Sequence, residues 1–388
     1  MLSGGILELR KFVAPECVFG ADARNLAAKY AVNLGARKVM IVTDPGVDVA
    51  GWTGDIVTGL QSVGLPYVIF ENVSSNPRDN EVMSGTEVYL NEGCNSLIAV
   101  GGGSPIDCAK GIGIVSTNNR NILKFEGVDE VHIPIPPLIC VPTTGGSSAD
   151  VSQFAIITDT TRHVKIAIVS KAIVPDVSLV DPVTLTTLSS ELTADTGFDA
   201  LTHAFEAYVS NAQSAITDLF ALEAVRLIHR YLPSTITDPL NVELRGWVSI
   251  ACLNAGFAFS NAGLGLAHAM SHSLGGVLDI AHGLSNAILL PQVISFNFPS
   301  VVGRYRAIGE AMDLDMAGKR DDEILASLVD ELARFKELLG IKDDLSQLAM
   351  DRNMIGGLAK KAMQDPDVAT NPRQPSRRDI EEIYERIF

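Results

Sequence analysis

At 388 residues, 47% of them hydrophobic, the chain is long enough for two ordinary domains and apolar enough for a large buried core. Its 30 basic and 46 acidic residues give a formal charge of −16, which argues against a nucleic-acid or anionic-membrane partner because both reward Lys and Arg. The five cysteines are scattered and never form a CxxC pair, which predicts reduced thiols in a cytoplasmic protein without disulfides. No secretory signal and no membrane span are expected.

Residues 37–142 alternate short β-branched runs with helical stretches, a pattern typical of stacked βαβ units and a mostly parallel sheet. Strands are predicted at 38–44, 66–70, 96–100 and 138–142, with helices at 50–64 and 80–93. Residues 153–158 and 164–169 are predicted to form a hairpin. We therefore expect an N-terminal Rossmann-like α/β domain over residues 1–188.

The predicted strand at 96–100 runs directly into a glycine-rich turn and a helix. The turn and the start of the helix are Gly101, Gly102, Gly103, Ser104 and Pro105. Ser104 is a candidate N-cap and Asp107 its capping-box partner, and the free N–H groups of such a helix start bind a pyrophosphate. The pattern is not GxGxxG, since Ile106 stands at the third glycine position, and a glycine turn is also common as plain structure.

Two further features of this domain are compatible with a dinucleotide. Asp44 ends an earlier strand, where a carboxylate can bind a ribose hydroxyl and repel a 2′-phosphate, which favours NAD over NADP. An ordinary turn role before Pro45 is an equal alternative. The loop after the strand at 138–142 contains the hydroxyl groups of Thr143, Thr144 and Ser147, and such loops bind phosphates or nicotinamide amides but are also common turns.

Beyond residue 188 the hydrophobic period is helical to the C-terminus, which predicts an all-α domain over 189–388. This domain carries a cluster of potential metal ligands. Asp199 and His203 have helical spacing, as do His268 and His272, and His282 follows in a predicted loop. One carboxylate and three imidazoles suit a divalent first-row metal, whereas burying several histidines among small apolar residues without a shared partner would be costly. Spacing leaves open which three of these four histidines are ligands.

Taken together, these segments resemble the iron-containing, or group III, alcohol dehydrogenases over nearly the whole chain. The most specific matches are the runs at 101–107, 142–144, 198–208 and 263–272, followed by His282 and Gly283. After the two threonines at 143–144 the family usually reads Ala-Gly-Thr-Gly-Ser-Glu, whereas this chain has Gly-Gly-Ser-Ser-Ala-Asp. The resemblance implies a dehydroquinate synthase-like architecture, with a nucleotide-binding domain followed by a helical metal-binding and substrate domain.

The resemblance also implies roles for individual residues. The implied metal ligands are Asp199, His203, His268 and His282. The implied NAD contacts are Asp44, Asn76, Gly102, Gly103, Ser104, Thr143, Thr144, Ser147 and Lys165. His272 is left unligated near the nicotinamide, either as a catalytic proton relay or as a structural neighbour that orients a ligand.

The expected function is interconversion of a small alcohol and its aldehyde or ketone with NAD, in a homo-oligomer of two or more subunits. The metal would polarise the substrate oxygen; Fe²⁺ is implied by the resemblance, and Zn²⁺ is favoured by intrinsic affinity. Alternatives of the same architecture are a zinc-dependent glycerol dehydrogenase-like or dehydroquinate synthase-like enzyme. Alternatives of other classes are a nucleotide-independent metallohydrolase and a non-catalytic metal-binding protein.

Overall fold

The computed structural model describes residues 9–278, 280–342 and 351–387. They belong to two compact units, a sheet unit (Val13–Leu188) and a helical unit that combines Ser189–Phe388 with the N-terminal residues up to Phe12. Phe12 stacks on Phe220 with ring centroids 5.6 Å apart. The N-terminal segment therefore packs within the helical unit, and the α/β domain expected over 1–188 begins at Val13.

The sheet unit alternates strands and helices along the chain. Its strands are β1 (Glu16–Phe19), β2 (Val39–Val42), β3 (Tyr67–Phe70), β4 (Ser96–Gly101), β5 (Gly127–Val128), β6 (Leu138–Pro142), β7 (Phe154–Asp159), β8 (Val164–Val169) and β9 (Val177–Val180). Its α-helices are α1 (Ala27–Asn33), α2 (Pro45–Val49), α3 (Trp52–Ser62), α4 (Asp79–Asn91) and α5 (Gly103–Asn118). Short 3₁₀ helices lie at Ala23–Leu26, Ile122–Phe125, Lys171–Ile173 and Pro182–Thr187.

Six strands form one parallel sheet in the order β1-β9-β6-β4-β2-β3, which confirms the predicted Rossmann-like fold. Alternate residues of β2 and β4 enter two apolar clusters, one on each face of the sheet, so both faces are covered and the strands are apolar throughout. The chain passes from β2 to β3 on one side and returns to β4 on the other side of β2. Ligands of such sheets bind beyond the carboxyl ends of the strands at this reversal.

The predicted hairpin is present as β7 and β8, which pair antiparallel from Phe154 with Val169 to Asp159 with Val164. With β5 these strands form a second sheet of three strands, in the order β5-β8-β7. This small sheet brings Lys165 to the side of the glycine-rich turn, as described below.

Helix α5 begins at Gly103 with Gly102 as its N-cap, so the predicted N-cap at Ser104 is wrong. Two residues without a Cβ let the chain turn into the helix earlier than the capping pattern indicated. The predicted capping-box partner, Asp107, is instead buried and accepts a hydrogen bond from the backbone N–H of Ile156 at 3.2 Å. Burial raises the pKa of Asp107 to about 6. This carboxyl group thus joins α5 to β7.

The described part of the second unit consists of helices, as predicted. They are α6 (Ser190–Val209), α7 (Ala215–Thr237), α8 (Val242–Ala262), α9 (Leu266–Leu278), α10 (His282–Asn297), α11 (Val302–Ala311), α12 (Asp321–Leu339), α13 (Ile355–Ala362) and α14 (Arg377–Ile387). Among the described residues no single helix is long and apolar enough to cross a membrane; α8 and α9 pass that test only as a pair bent by 100°.

The centre of the helical unit is formed by α6, α7 and α8. Helix α8 buries small side chains such as Ala251, Ala255 and Ala258, which allow neighbouring helices to approach closely. Every side chain of α6 from Gly197 to its end at Val209 is buried. The polar residues within that stretch therefore face the interior and need partners there.

Candidate functional site

Three helices bring a carboxylate and three imidazole rings to one buried point. Asp199 of α6 lies at its centre, and its Oδ1 is 3.9 Å from the Nε2 of His203, 3.6 Å from that of His268 and 3.7 Å from that of His282. These separations are too long for hydrogen bonds. They are close to the separation of about 3.4 Å that two tetrahedral ligands show when each lies about 2.1 Å from a shared ion.

The predicted ligands do not contribute equally to this arrangement. The ligand atoms of Asp199, His268 and His282 all lie within 4.8 Å of one another. His203 joins them through its contact with Asp199 and by stacking on His268, with ring centroids 4.5 Å apart. His282 is the first residue of α10, not the loop residue that the sequence predicted, so it is placed by a helix start with Ala281 as N-cap.

Asn286, one helical turn after His282, lies in the same cluster and was missed by the sequence analysis. Its Nδ2 donates to the Oδ1 of Asp199 at 2.7 Å and lies 3.2 Å from the Nε2 of His268 and 3.5 Å from that of His282. Its Oδ1 is buried and has no hydrogen-bond partner among the described residues. The Oδ1 of Asp199 and the two imidazole Nε2 atoms thus surround the Nδ2 group of Asn286, in the arrangement in which they would surround a cation. The only signal in the sequence was its spacing of four from His282.

The charges of the cluster also require a positive partner. Burial alone would raise the pKa of Asp199, but His203, His282 and His268 hold it well below its usual range. Burial likewise disfavours a charged His268, but the nearby carboxylates of Asp199 and Glu206 outweigh burial and raise the pKa of His268 to about 10. A buried carboxylate is stabilised by hydrogen-bond donors and by positive charge beside it, which protonated imidazoles or a bound cation would supply here. The residues present therefore fit a divalent metal with mixed oxygen and nitrogen ligands.

His272, one turn further along α9, belongs to a different set. Its Nδ1 lies 2.8 Å from the Oδ2 of Asp365 and 3.8 Å from that of Asp367, and its ring stacks on His282 with centroids 5.2 Å apart. These three side chains are also close enough together to hold an ion. The 2.8 Å contact, however, is a hydrogen-bond distance, which indicates a His–Asp pair. Burial and the charge of Asp365 raise the pKa of Asp367 well above its usual range.

In the sheet unit, the glycine-rich turn and the hydroxyl-rich loop end neighbouring strands, β4 and β6. They pack closely against each other. A Cβ atom on Gly102 would lie 2.9 Å from the Cγ2 of Thr144, and one on Gly103 would lie 3.0 Å from the side chain of Ser147. The distance at Gly102 is shorter than real Cβ contacts, and the distance at Gly103 is tighter than nine in ten of them, so a side chain at either position would require the neighbouring loop to shift.

Three more of the predicted cofactor contacts meet beside this turn. The backbone N–H of Asn76 donates to the Oγ of Ser104 at 3.2 Å, and the Nζ of Lys165 donates to the Oδ1 of Asn76 at 2.7 Å. Asn76 has a left-handed backbone, with φ of 60°. The arrangement connects a cationic side chain of β8 to the start of α5.

Asp44 follows β2, the neighbour of β4, at the same edge of the sheet. Its Oδ1 caps helix α2 by accepting hydrogen bonds from the N–H groups of Gly46 at 2.8 Å and Val47 at 3.0 Å. The predicted turn role is therefore real. It does not exclude ribose binding, since a carboxylate has further acceptor positions.

Comparison with known proteins matches both units to the same protein family. A family model described as "Iron-containing alcohol dehydrogenase" matches residues 14–182, and one described as "Fe-containing alcohol dehydrogenase family, C-terminal" matches residues 193–388. The chain is 36% identical to 1,3-propanediol dehydrogenase of Citrobacter freundii over 95% of this chain and 96% of that protein. It is 34% identical to NAD-dependent methanol dehydrogenase of Bacillus methanolicus over 97% and 99% of the two chains. A crystal structure of 1,3-propanediol oxidoreductase matches with a TM-score of 0.95 at 34% identity, covering 98% of this chain and 100% of that one.

Gly283 controls the approach of α10 to α6, and its replacement tests the packing behind the cluster. A Cβ atom at this position would lie 2.0 Å from the backbone oxygen of Asp195, which cannot move aside as a flexible side chain could. Gly283→Ala is expected to lower the free energy of unfolding by about 1–3 kcal/mol through overpacking. In the control Gly303→Ala, where the new Cβ meets nothing within 4 Å in helix α11, the change is expected to be neutral or stabilising by up to about 1 kcal/mol. Chemical denaturation measures both, and equal stabilities would contradict the close approach.

Proposed function

We propose, because this chain belongs to the iron-containing alcohol dehydrogenase family, that it interconverts a small alcohol and its aldehyde or ketone by hydride transfer to or from NAD. The observation that carries the proposal is the convergence of three imidazole Nε2 atoms on the Oδ1 of Asp199. We assign one divalent cation to Asp199, His203, His268 and His282. Fe²⁺ follows from the family, and Zn²⁺ is its strongest competitor at such a site by intrinsic affinity.

When bound, the cation supplies Lewis-acid polarisation of the substrate oxygen, and the nicotinamide supplies or accepts the hydride. The contribution of the chain is to hold Asp199, His203 and His268 in the buried interior, with His282 partly exposed beside them. Asp199 and His268 are 6% and 1% exposed, so their electrostatic interactions are screened little by water.

The NAD site is assigned to the sheet unit. The pyrophosphate would lie on the N–H groups at the start of α5, from Gly102 to Ser104, where the helix dipole also favours an anion. Thr144, Ser147, Asn76 and Lys165 border the same turn through the contacts described above. The backbone N–H of Thr143 donates to the carbonyl oxygen of Gly101 at 3.0 Å. NAD is supported by the naming of a relative as NAD-dependent and by the acidic side chain at Asp44. Neither a metallohydrolase nor a non-catalytic metal protein would give this turn a role.

His272 is proposed to transfer the proton of the alcohol. Because its Nδ1 is bonded to Asp365, its Nε2 is the atom available to accept and release a proton. Asp365 would then hold the ring in one orientation, as carboxylates do for catalytic histidines.

The substrate class and the cellular setting rest on broader grounds. Relatives are named for methanol and 1,3-propanediol, which supports a short alcohol or diol. The five cysteines are free thiols, which supports a reducing, cytoplasmic environment. We also propose a homo-oligomer, since helical dehydrogenase domains often associate and most soluble oligomers are symmetric homo-oligomers.

The central test is metal-dependent turnover. Protein purified without metal and reconstituted anaerobically with Fe²⁺ or Zn²⁺ is expected to form NADH from methanol, 1,3-propanediol or another short alcohol, and a chelator is expected to abolish this activity. His282→Gln is expected to lose both the metal and about a hundredfold or more of kcat/KM. The control His229→Gln removes a histidine that is bonded to Glu331, outside the cluster, and is expected to keep both. An equal rate of NADH formation with and without the chelator would refute the proposal.

Asp44→Asn tests the cofactor preference. Asn caps a helix as well as Asp does, so α2 is expected to persist while the negative charge is lost. The ratio of kcat/KM for NADP to that for NAD is expected to rise about tenfold, equivalent to about 1.4 kcal/mol. If the ratio of kcat/KM values and the stability of the protein are both unchanged, Asp44 caps α2 but does not select NAD.

His272→Ala separates the two roles of that residue. A relay role predicts that kcat falls by about 10²–10⁴ while metal content stays at the wild-type level, and that the pH dependence of kcat changes. Asp365→Asn is expected to produce the same change in smaller degree. Loss of the metal from His272→Ala would show instead that His272 is a ligand or orients one.

A further inference from the structure

The start of helix α9 is held by a side chain from another helix. The first N–H groups of any α-helix lack partners within the helix. Here Glu206 of α6 accepts hydrogen bonds from the N–H groups of Gly265 at 3.0 Å, Ala267 at 2.7 Å and His268 at 3.3 Å. One carboxylate, 59 to 62 residues away in sequence, thus caps most of the helix start.

The remaining N–H group, that of Leu266, donates to the Oδ1 of Asn371 at 3.1 Å. Asn371 is in turn bonded to Asn297 through both ends of its amide, at 2.9 and 2.8 Å. It therefore shares the capping role of Glu206, and no contact with an imidazole ring is described for it. This difference provides a matched control.

Glu206 also contacts a ring of the cluster directly. Its Oε2 lies 2.6 Å from the Nδ1 of His268, whose Nε2 faces Asp199. A carboxylate only accepts hydrogen bonds, so this contact requires a proton on Nδ1 and leaves Nε2 as the atom whose lone pair can bind a cation. At His282 the corresponding partner is the hydroxyl of Ser271, at 2.9 Å, which can donate or accept and so does not define the tautomer by itself.

The contact between Glu206 and the start of α9 is tightly packed and shielded from solvent. Glu206 is 3% exposed and His268 is 1% exposed. A Cβ atom on Gly265 would lie 2.9 Å from the Oε1 of Glu206, so even a methyl group does not fit between the helix start and the carboxylate. Buried donors that lose their acceptor under such conditions stay unsatisfied.

We propose that Glu206 is a positioning residue for the metal centre, which fixes the tautomer and orientation of His268 while it caps α9. The inference rests on the proposed metal site and deepens it. It assigns to Glu206 a share of the metal affinity, although Glu206 is not one of the four proposed ligands.

The test compares Glu206→Gln with Asn371→Ala in the full chain. Asn371→Ala removes one acceptor from the start of α9. Glu206→Gln removes the negative charge and replaces one of the two acceptor oxygens with an NH₂ donor. Both variants are expected to lower the thermal stability of the metal-free protein. Only Glu206→Gln is expected to weaken Zn²⁺ affinity, measured by competition with a chromophoric chelator, by about 10- to 100-fold. Equal Zn²⁺ affinity in Glu206→Gln and wild type, or an equal loss in both variants, would overturn the inference.

A measurement on the wild-type protein guards against a variant that does not fold. With ¹⁵N-labelled histidine and bound Zn²⁺, NMR is expected to show His268 protonated at Nδ1 and metal-bound at Nε2. Binding through Nδ1 would overturn the role of Glu206 while the alcohol dehydrogenase activity stood. A wild-type protein that binds neither Fe²⁺ nor Zn²⁺ would instead overturn the proposed function.

Discussion

The arrangement of the helical unit depends on one constraint, the burial of the Asp199 carboxylate beside three imidazole rings. A buried carboxylate is costly unless positive charge lies next to it. Helix α6 supplies Asp199 and His203, α9 supplies His268 and α10 supplies His282, so three helices must meet with their polar atoms directed to one point. A shared cation, as proposed, would satisfy all of these groups at once, and so would explain the cluster better than separate hydrogen bonds do.

The meeting of these helices is made possible by residues that do not touch a ligand. Gly283 allows the start of α10 to lie against the backbone of Asp195, and Gly265 allows the start of α9 to reach Glu206. Glu206 in turn connects α6 to α9 at the ring of His268. The sheet unit uses the same device, since Gly102 and Gly103 let two loops meet at the carboxyl edge of the sheet. In both units, glycine residues allow backbone segments to approach closely, and this approach positions the candidate functional residues.

The features that could be predicted from the sequence are those with local causes. The parallel sheet and the β7–β8 hairpin follow from hydrophobic period, and the glycine turn, the Asp199–His203 pair on α6 and the His268–His272 pair on α9 follow from residue type at short spacing. The missed features depend on tertiary contacts. Asp365 meets His272 from 93 residues away, and Glu206 meets His268 from 62 residues away, in segments whose local pattern indicates only a helix start or a helix interior. The predicted cap at Ser104 failed because neighbouring glycines changed where the helix could begin.

Anomalous X-ray diffraction at the iron absorption edge, from crystals of protein loaded anaerobically with Fe²⁺, tests the central claim most directly. The account predicts one strong anomalous peak, about 2.0–2.2 Å from a carboxylate oxygen of Asp199 and from an imidazole nitrogen of each of His203, His268 and His282. A peak among His272, Asp365 and Asp367 instead, or no peak in fully loaded crystals, would contradict it.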